Sequence, residues 1–406
     1  MAAMIELIQG GNVTSAKGFS AGGTYGGLKT AVDEDSLDLA ILRSDVSAAV
    51  AATFSTNKVV SPSVTLSKQR VQKGTARAVV ANSGCANCCV GQQGLRDAEE
   101  MAALAAGHAG VAPEEVLVCS TGVIGVELPM ALVRQNIGNI QLSEEGGPQF
   151  ARAIMTTDSR PKEMAISFDL AGQRVTMGGS AKGVGMIHPD MATMLCFIAT
   201  DASVEQKFLQ RALSESVRAS FNMIDVDGDQ STNDTVLVLA NGEAGGPPIQ
   251  AGSGSADAFQ EALTYICTAL AKELVRDGEG AQRLIEVVVD GALTPEDASR
   301  AAREVAGSLL VKAMVHGRDP NWGRVMMALG KSGIEFDESR VDLFINDIHI
   351  VHEGIAINYL KDAVISAMSV PEVRFRISVH EGDARATAWG CDLTEEYVTF
   401  NSAYST

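Results

Sequence analysis

The first half of the chain is written in short apolar runs that stop at glycine. Ala76–Ala81 (ARAVVA) and Val116–Cys119 (VLVC) have strand length, and each runs into a polar turn, NSGCAN and STGVIG. Such runs, bounded by turn signals, predict buried strands whose ends can present functional groups. Between them Leu95, Ala98, Met101, Ala102 and Ala105 recur at three- and four-residue spacing and Gly110 follows, which predicts a helix over 95–109 with a glycine stop. The second half alternates the two periods. Helical spacing covers 204–222, 255–276 and 295–315, the last opening on Thr294-Pro295-Glu296-Asp297, a cap residue followed by proline and first-turn acids. Strand patterns cover 236–240, 284–290, 341–351 and 374–380, where Arg374-Phe375-Arg376-Ile377-Ser378-Val379 alternates like a half-exposed strand. The chain therefore reads as α/β or α+β. Gly242–Ser255 (GEAGGPPIQAGSGS) is a surface loop or a linker, and no internal repeat is visible.

Composition narrows the classes of function. At 406 residues the chain has room for two or three domains, or one α/β body with an inserted lobe. Hydrophobic residues make up 46% and charged residues 20%, too apolar a balance for disorder. No stretch approaches the ~20 apolar residues of a membrane helix, so no membrane partner is expected. The formal charge of −18 repels a polyphosphate backbone and no Lys/Arg run offsets it, which argues against nucleic acid. Seven cysteines, an odd number, and an amino terminus (MAAMIELIQG) without the basic start or apolar core of a secretory signal point to a reduced, cytoplasmic protein. Cys85 and Cys88 have C-x-x-C spacing but no second pair to complete a zinc site, so they read as small buried hydrophobes.

Several short motifs carry little. Gly18-Phe19-Ser20-Ala21-Gly22 has the form of a nucleophile elbow, but the glycines at 22, 23, 26 and 27 forbid the helix that must follow. Asp225-Val226-Asp227-Gly228-Asp229 begins like a calcium loop, yet Gln230 and Val236 stand where Gly and Glu belong. Gly183-x-Gly185 and Gly278-x-Gly280 lack the third glycine of a dinucleotide fingerprint. His349 and His352 lie three apart in a strand-like segment, which sends them to opposite faces and argues against a shared metal.

The segment 178–202, GGSAKGVGMIHPDMATMLCFIATDA, is more informative. A flexible glycine-rich approach with one lysine leads to Pro189 and Asp190, and an apolar strand then begins near Thr193. Periodicity alone makes Thr193 a β-branched strand residue. Threonine also becomes a strong nucleophile when a free α-amine stands beside its own hydroxyl, and an internal threonine gains that amine only if the preceding bond is cut. An α-amine titrates near about 7.7–8.0, so a useful fraction is neutral and able to take the hydroxyl proton.

Lys182-Gly183-x-Gly185-Met186-Ile187-x-Pro189-x-Met191-Ala192-Thr193-Met194-Leu195 resembles the self-cleavage segment of the ornithine acetyltransferases, or bifunctional glutamate N-acetyltransferases, of arginine biosynthesis. The resemblance extends over nearly the whole chain. It includes Gly11–Thr14, Lys17–Phe19, Ala81–Asn87, Ser120–Gly125, Asp227–Thr235, Asp319–Arg324 and Asn401–Tyr404. It implies a layered α/β sandwich of the self-cleaving type with a smaller C-terminal lobe. The implied cut lies between Ala192 and Thr193 and gives an α chain of 1–192 and a β chain of 193–406 in an α2β2 heterotetramer.

Further expectations follow from the same resemblance. Thr193 is the nucleophile that carries the acetyl group from N2-acetylornithine to glutamate, and Thr121 and Gly122 form the oxyanion hole. Thr156, Lys182, Thr193, Glu279, Asn401 and Thr406 contact substrate. By charge, Lys182 suits an α-carboxylate and Glu279 an ammonium. No organic cofactor or metal is implied, although some members also take acetyl from acetyl-CoA, a choice that no motif here decides. The sequence departs from the common pattern at Val184, Asp190 and Gln230, where Ser, Asn and Thr are usual. An amide hydrolase or aminopeptidase on the same scaffold, and a non-catalytic amino-acid-binding protein, are the rival readings.

Overall fold

The protein is described here from a computed structural model, which covers residues 5–29, 36–170, 172–188 and 194–403. Ala192, Thr193, Asp190 and Thr406 lie outside the described residues.

Period-two apolar patterning organises the first of two sheets. In spatial order its strands are Glu6–Ile8, Lys162–Leu170, Gln173–Lys182, Leu195–Thr200, Thr235–Ala240, Leu39–Phe54, Thr75–Asn82 and Val116–Ser120, with Phe19–Thr24 also pairing Leu39–Phe54. Alternate side chains of one strand enter different cores. Leu195, Phe197 and Ala199 join one cluster, while Cys196 and Ile198 join another. Val79, Ala81, Leu117 and Cys119 meet Leu195, Phe197, Leu237 and Leu239 in that first cluster, so the sheet folds over on itself. The long strand Leu39–Phe54 joins the two halves, with an irregular register between Arg43 and Ala48 that bends it. Phe150 and Phe197 close this core edge to face, with ring centroids 5.1 Å apart.

Helices cover the outer faces. Gly91–Ala109 buries Ala98, Met101, Ala102 and Ala105 against Ala78, Val80, Val116 and Val118, and ends at Gly110 in the left-handed region as its sequence predicts. Helices Gln206–Ala219 and Ala256–Arg276 share a core with both sheets. The second sheet runs Ile355–Ala356, Ile348–His352, Asp342–Ile345, Glu372–Ser378, Leu284–Ala292, Ala384–Cys391 and Ile224–Asp225. Most of it comes from the last third of the chain and forms the C-terminal lobe. Among the described residues no helix is long and apolar enough to cross a membrane.

Several expectations change. The helical pattern 295–315 is two helices, Pro295–Ala306 and Leu309–Gly317, because Ser308 adopts an extended conformation and caps the second with its hydroxyl. The apolar period runs through the break, which hides it in the sequence. The strand pattern 341–351 is a hairpin turning at Asn346, whose φ of 50° suits asparagine. The glycine-rich approach to the nucleophile segment is regular strand, with Gly178 and Gly179 paired to Ala199 and Ile198. Gly242–Ser255 is tied back by its own backbone, since Ala244 and Ile249 bond the carbonyls of Asp201 and Ser203. The first sheet draws its strands from both sides of the position expected for the cut, Gln173–Lys182 before it and Leu195–Thr200 after it.

The parity argument for His349 and His352 fails outright. Leu343 pairs with Val351 and Phe344 with His349, so Ile350 is an extra residue in a β-bulge. Ile350 and Val351 are then both buried, and His349 and His352 return to one face. All seven cysteines are free thiols, with Cys85 and Cys88 buried. Ser20 of the elbow-like motif sits inside strand Phe19–Thr24 rather than at a turn.

Candidate active site

The segments singled out in the sequence converge where strands end. Asn233 Nδ2 donates to the carbonyls of Ala86, at 2.7 Å, and Ser120, at 2.8 Å. One buried amide thus ties together the loops that follow Thr75–Asn82 and Val116–Ser120 and the loop that enters Thr235–Ala240. Strand pairing sets Lys182 opposite Leu195, and Leu195 beside Thr235, at the same edge.

The space between these loops is a cavity of 180 Å³ lined by Thr121, Gly122, Thr156, Lys182, Glu279 and Asn401. This is below the ~300–1,000 Å³ of a drug-sized ligand site and suits a small amino acid. The described substrate and oxyanion candidates therefore share one enclosure. A larger groove of 770 Å³, bordered by Arg218, Arg303, Arg385 and Trp389, holds none of them.

Two buried lysines mark the cavity differently. Lys162 Nζ is paired with Asp158 and Asp277, each at 2.6 Å. Lys182 Nζ donates to Thr121 Oγ1 at 3.2 Å, and among the described residues no carboxylate forms an ion pair with it. Burial lowers the Lys182 pKa, with Asp158 opposing and Lys162 reinforcing that shift. Burial also acts to raise the Asp158 carboxyl, but Lys182 and Lys162 outweigh it and hold the group below its ordinary value. Asp158 is thereby fixed as an anion that accepts from the backbone N–H groups of Gly183, at 2.9 Å, and Thr156, at 3.0 Å.

Across the cavity, Glu279 accepts from Thr157 Oγ1 at 2.7 Å and from Asn401 Nδ2 at 2.8 Å. Its carboxylate lies against the backbone of Gly185, where a Cβ would stand 2.6 Å from its Cδ. Gly122 is constrained still more, with φ of +128° and space for a Cβ only 2.3 Å from the carbonyl carbon of Gly84. Its N–H meets no acceptor among the described residues. Thr121 accepts from Lys182, which leaves its own hydroxyl proton to donate. Gly122→Ala is expected to lose about 1–3 kcal/mol through clash and strain. Urea denaturation checks this, and an unchanged midpoint would mean the loop has room to move.

Three further acids shape the site. Asp227 takes the N–H groups of Met186, at 2.6 Å, and Ile187, at 2.9 Å, and the Tyr397 hydroxyl at 3.2 Å. Burial raises its pKa. Asp234, fully buried and likewise shifted upward by burial, accepts the N–H of Met194 at 2.8 Å. Asp225 pairs with buried Lys312 at 3.0 Å and holds His188 Nδ1 at 2.9 Å. Reading the residues for chemistry missed these acids, because their partners are backbone amides and a lysine far away in sequence. Asp227 and Asp234 fall in the resembling segment Asp227–Thr235, and Asp225 and Asp227 in the run that begins like a calcium loop. Tyr397 and Lys312 gave no such signal.

An α/β body with two sheets and a small enclosure lined by a lysine on one side and a carboxylate on the other defines an enzyme that handles small molecules. Comparison with known proteins sharpens that class. The chain matches the model of the ArgJ family over residues 20–406 and belongs to that family. The arginine biosynthesis bifunctional protein ArgJ of Symbiobacterium thermophilum is 51% identical over 404 residues, covering 99% of this chain and 100% of that protein. Its counterpart in Dehalococcoides mccartyi is 46% identical over 406 residues, covering 100% of both. The crystal structure of the arginine biosynthesis bifunctional protein of Bacillus halodurans, 38% identical, matches with a TM-score of 0.51. That match covers 51% of this chain and 98% of the solved one.

Proposed function

We propose that the chain transfers an acetyl group from N2-acetylornithine to glutamate through an acetyl ester on Thr193, after cutting itself between Ala192 and Thr193. Membership of the ArgJ family makes it an acetyltransferase of arginine biosynthesis acting on small molecules. The donor, the acceptor and the covalent step are the proposal. One observation carries it: Lys182, Thr121, Gly122 and Glu279 line one enclosure the size of an amino acid.

In this mechanism the Thr193 hydroxyl attacks the acetyl carbonyl and its own α-amine accepts the proton. The Thr121 hydroxyl and Gly122 N–H receive the developing oxyanion, a contribution of about 10²–10³ in rate per donor. The tetrahedral intermediate collapses with cleavage of the C–N bond, and the α-amine returns its proton to the departing ornithine nitrogen. Glutamate then attacks the ester with its amine, giving N-acetylglutamate and free Thr193. Lys182 holds the α-carboxylate of either amino acid, and Glu279 with Asn401 faces the ornithine ammonium. Met194, the residue after Thr193, has its N–H held by Asp234, which supports a fixed start for the strand beside the cavity. The Bacillus halodurans chain, matched nearly end to end by half of this one, has the length that a cut near the middle would leave.

Mass spectrometry tests the covalent step. Incubation with N-acetylornithine alone is expected to make the fragment beginning at Thr193 heavier by one acetyl group, and added glutamate to remove it as N-acetylglutamate. Release as free acetate would favour the hydrolase, and an unmodified chain during turnover would exclude the acyl-enzyme.

A further inference from the structure

The bulge that reunites His349 and His352 builds a second cluster on the C-terminal lobe, apart from the cavity. Asp342, on strand Asp342–Ile345, is its centre. His352 Nδ1 lies 2.8 Å from Asp342 Oδ1, His349 Nε2 lies 3.6 Å from the same oxygen, and His380 Nε2 lies 2.9 Å from Oδ2. Three of the six histidines in a chain of charge −18 thus surround one carboxylate.

Hydrogen bonding accounts for His352 and His380 but not for His349. The Nε2 atom of His349 is buried and has no hydrogen-bond partner among the described residues, and 3.6 Å is too long for one to Asp342. The ring is nonetheless held in place. It stacks on Phe344 with centroids 4.2 Å apart, and the Arg376 guanidinium covers the Phe344 ring at 3.8 Å. An oriented imidazole nitrogen that is denied both water and a partner needs an electrophile. The ligand atoms of Asp342, His349 and His352 all lie within 4.8 Å of one another. Bonds of about 2.0–2.2 Å to a tetrahedral ion would set ligand atoms about 3.4 Å apart, close to the His349–Asp342 spacing.

We propose that Asp342, His349 and His352 bind a divalent ion of the zinc class, with His380 as the outer partner that orients the Asp342 carboxylate. Two imidazoles and one carboxylate are borderline and hard donors, which favour Zn²⁺ over Ca²⁺ or Mg²⁺. His352, with a 55% exposed side chain, leaves the fourth position open to water. The ion pins the hairpin to itself, and through His380 to the end of strand Glu372–Ser378. None of these residues lines the catalytic cavity, so the ion stabilises the lobe and takes no part in acetyl transfer.

The test uses tag-free, full-length mature protein, stripped with chelator and then titrated with Zn²⁺ and with Co²⁺. Wild type is expected to retain one ion per chain and to melt at a higher temperature with it. His349→Phe keeps the stack on Phe344 without the nitrogen, and it and His352→Ala should each lose the bound ion and the thermal gain. His380→Ala should bind about 10–100-fold more weakly, as expected when an outer partner is removed. Co²⁺ bound to wild type should show the visible absorption of imidazole and carboxylate ligation, absent in His349→Phe. Acetyl transfer should be unchanged in every variant, which also reports correct folding. Wild type that retains no ion, or one retained equally by His349→Phe and His352→Ala, would overturn the proposal.

Discussion

Thr193→Ala should yield a single uncut polypeptide whose acetyl transfer has fallen by at least about 10⁴-fold, the scale seen when a covalent nucleophile is removed from a preorganised site. The substitution removes the hydroxyl that attacks the preceding peptide bond and the hydroxyl that later carries acetyl, so maturation and turnover disappear together. Thr193→Ser keeps an oxygen in the same position, and it should mature and retain measurable activity. Intact mass and amino-terminal sequencing read the cut, and product formation reads the transfer. A folded, active wild type that stays whole would remove self-cleavage from the mechanism and leave Thr193 as a strand residue. Asp190, two residues before the proposed cut, can be assayed in the same way: Asp190→Asn is expected to change the speed of maturation and not the mature turnover.

Lys182→Ala carries the second large effect. Lys182 is 1% exposed and among the described residues donates to a hydroxyl, with Asp158 acting on it at longer range, whereas Lys162 nearby is ion-paired with two carboxylates. A buried lysine in that state gains most from an anion entering the cavity, which opposes the desolvation of its charged form. Removing one partner of such a charge pair costs about 2–5 kcal/mol, or roughly 30- to 4,000-fold in kcat/KM. Most of it should appear in KM for both N-acetylornithine and glutamate, because each presents an α-carboxylate. Thr121 loses its donor as well, so kcat should fall modestly. Equal KM values in Lys182→Ala and wild type would assign the carboxylate to another group and leave Lys182 a structural role beside Asp158.

The elements that could be read in advance are those whose pattern is local. Strands Thr75–Asn82 and Val116–Ser120 and helix Gly91–Ala109 follow from apolar runs and a glycine stop. The helix break at Ser308 and the bulge at Ile350 did not, because apolar residues continue through both and only hydrogen-bond partners reveal them. Motif resemblance supplied Thr121, Gly122, Thr156, Lys182, Glu279 and Asn401 one at a time. Their convergence depends on Asn233 tying three loops together and on strand register, neither of which a one-dimensional pattern records.

The sequence by itself determined the mixed α/β class through its periods, the residue types available for chemistry through its composition, and the family through motifs that resemble those of known members. Only the tertiary structure decided that Lys182 is buried with no ion-paired carboxylate among the described residues and that Asp158, Asp227 and Asp234 serve backbone amides. It also decided that Asp342 gathers His349 and His352 from one bulged strand and His380 from beyond the end of another. Each of these depends on which groups burial brings together, and burial sets their charge and pairing through desolvation, a property of surroundings that no residue carries alone.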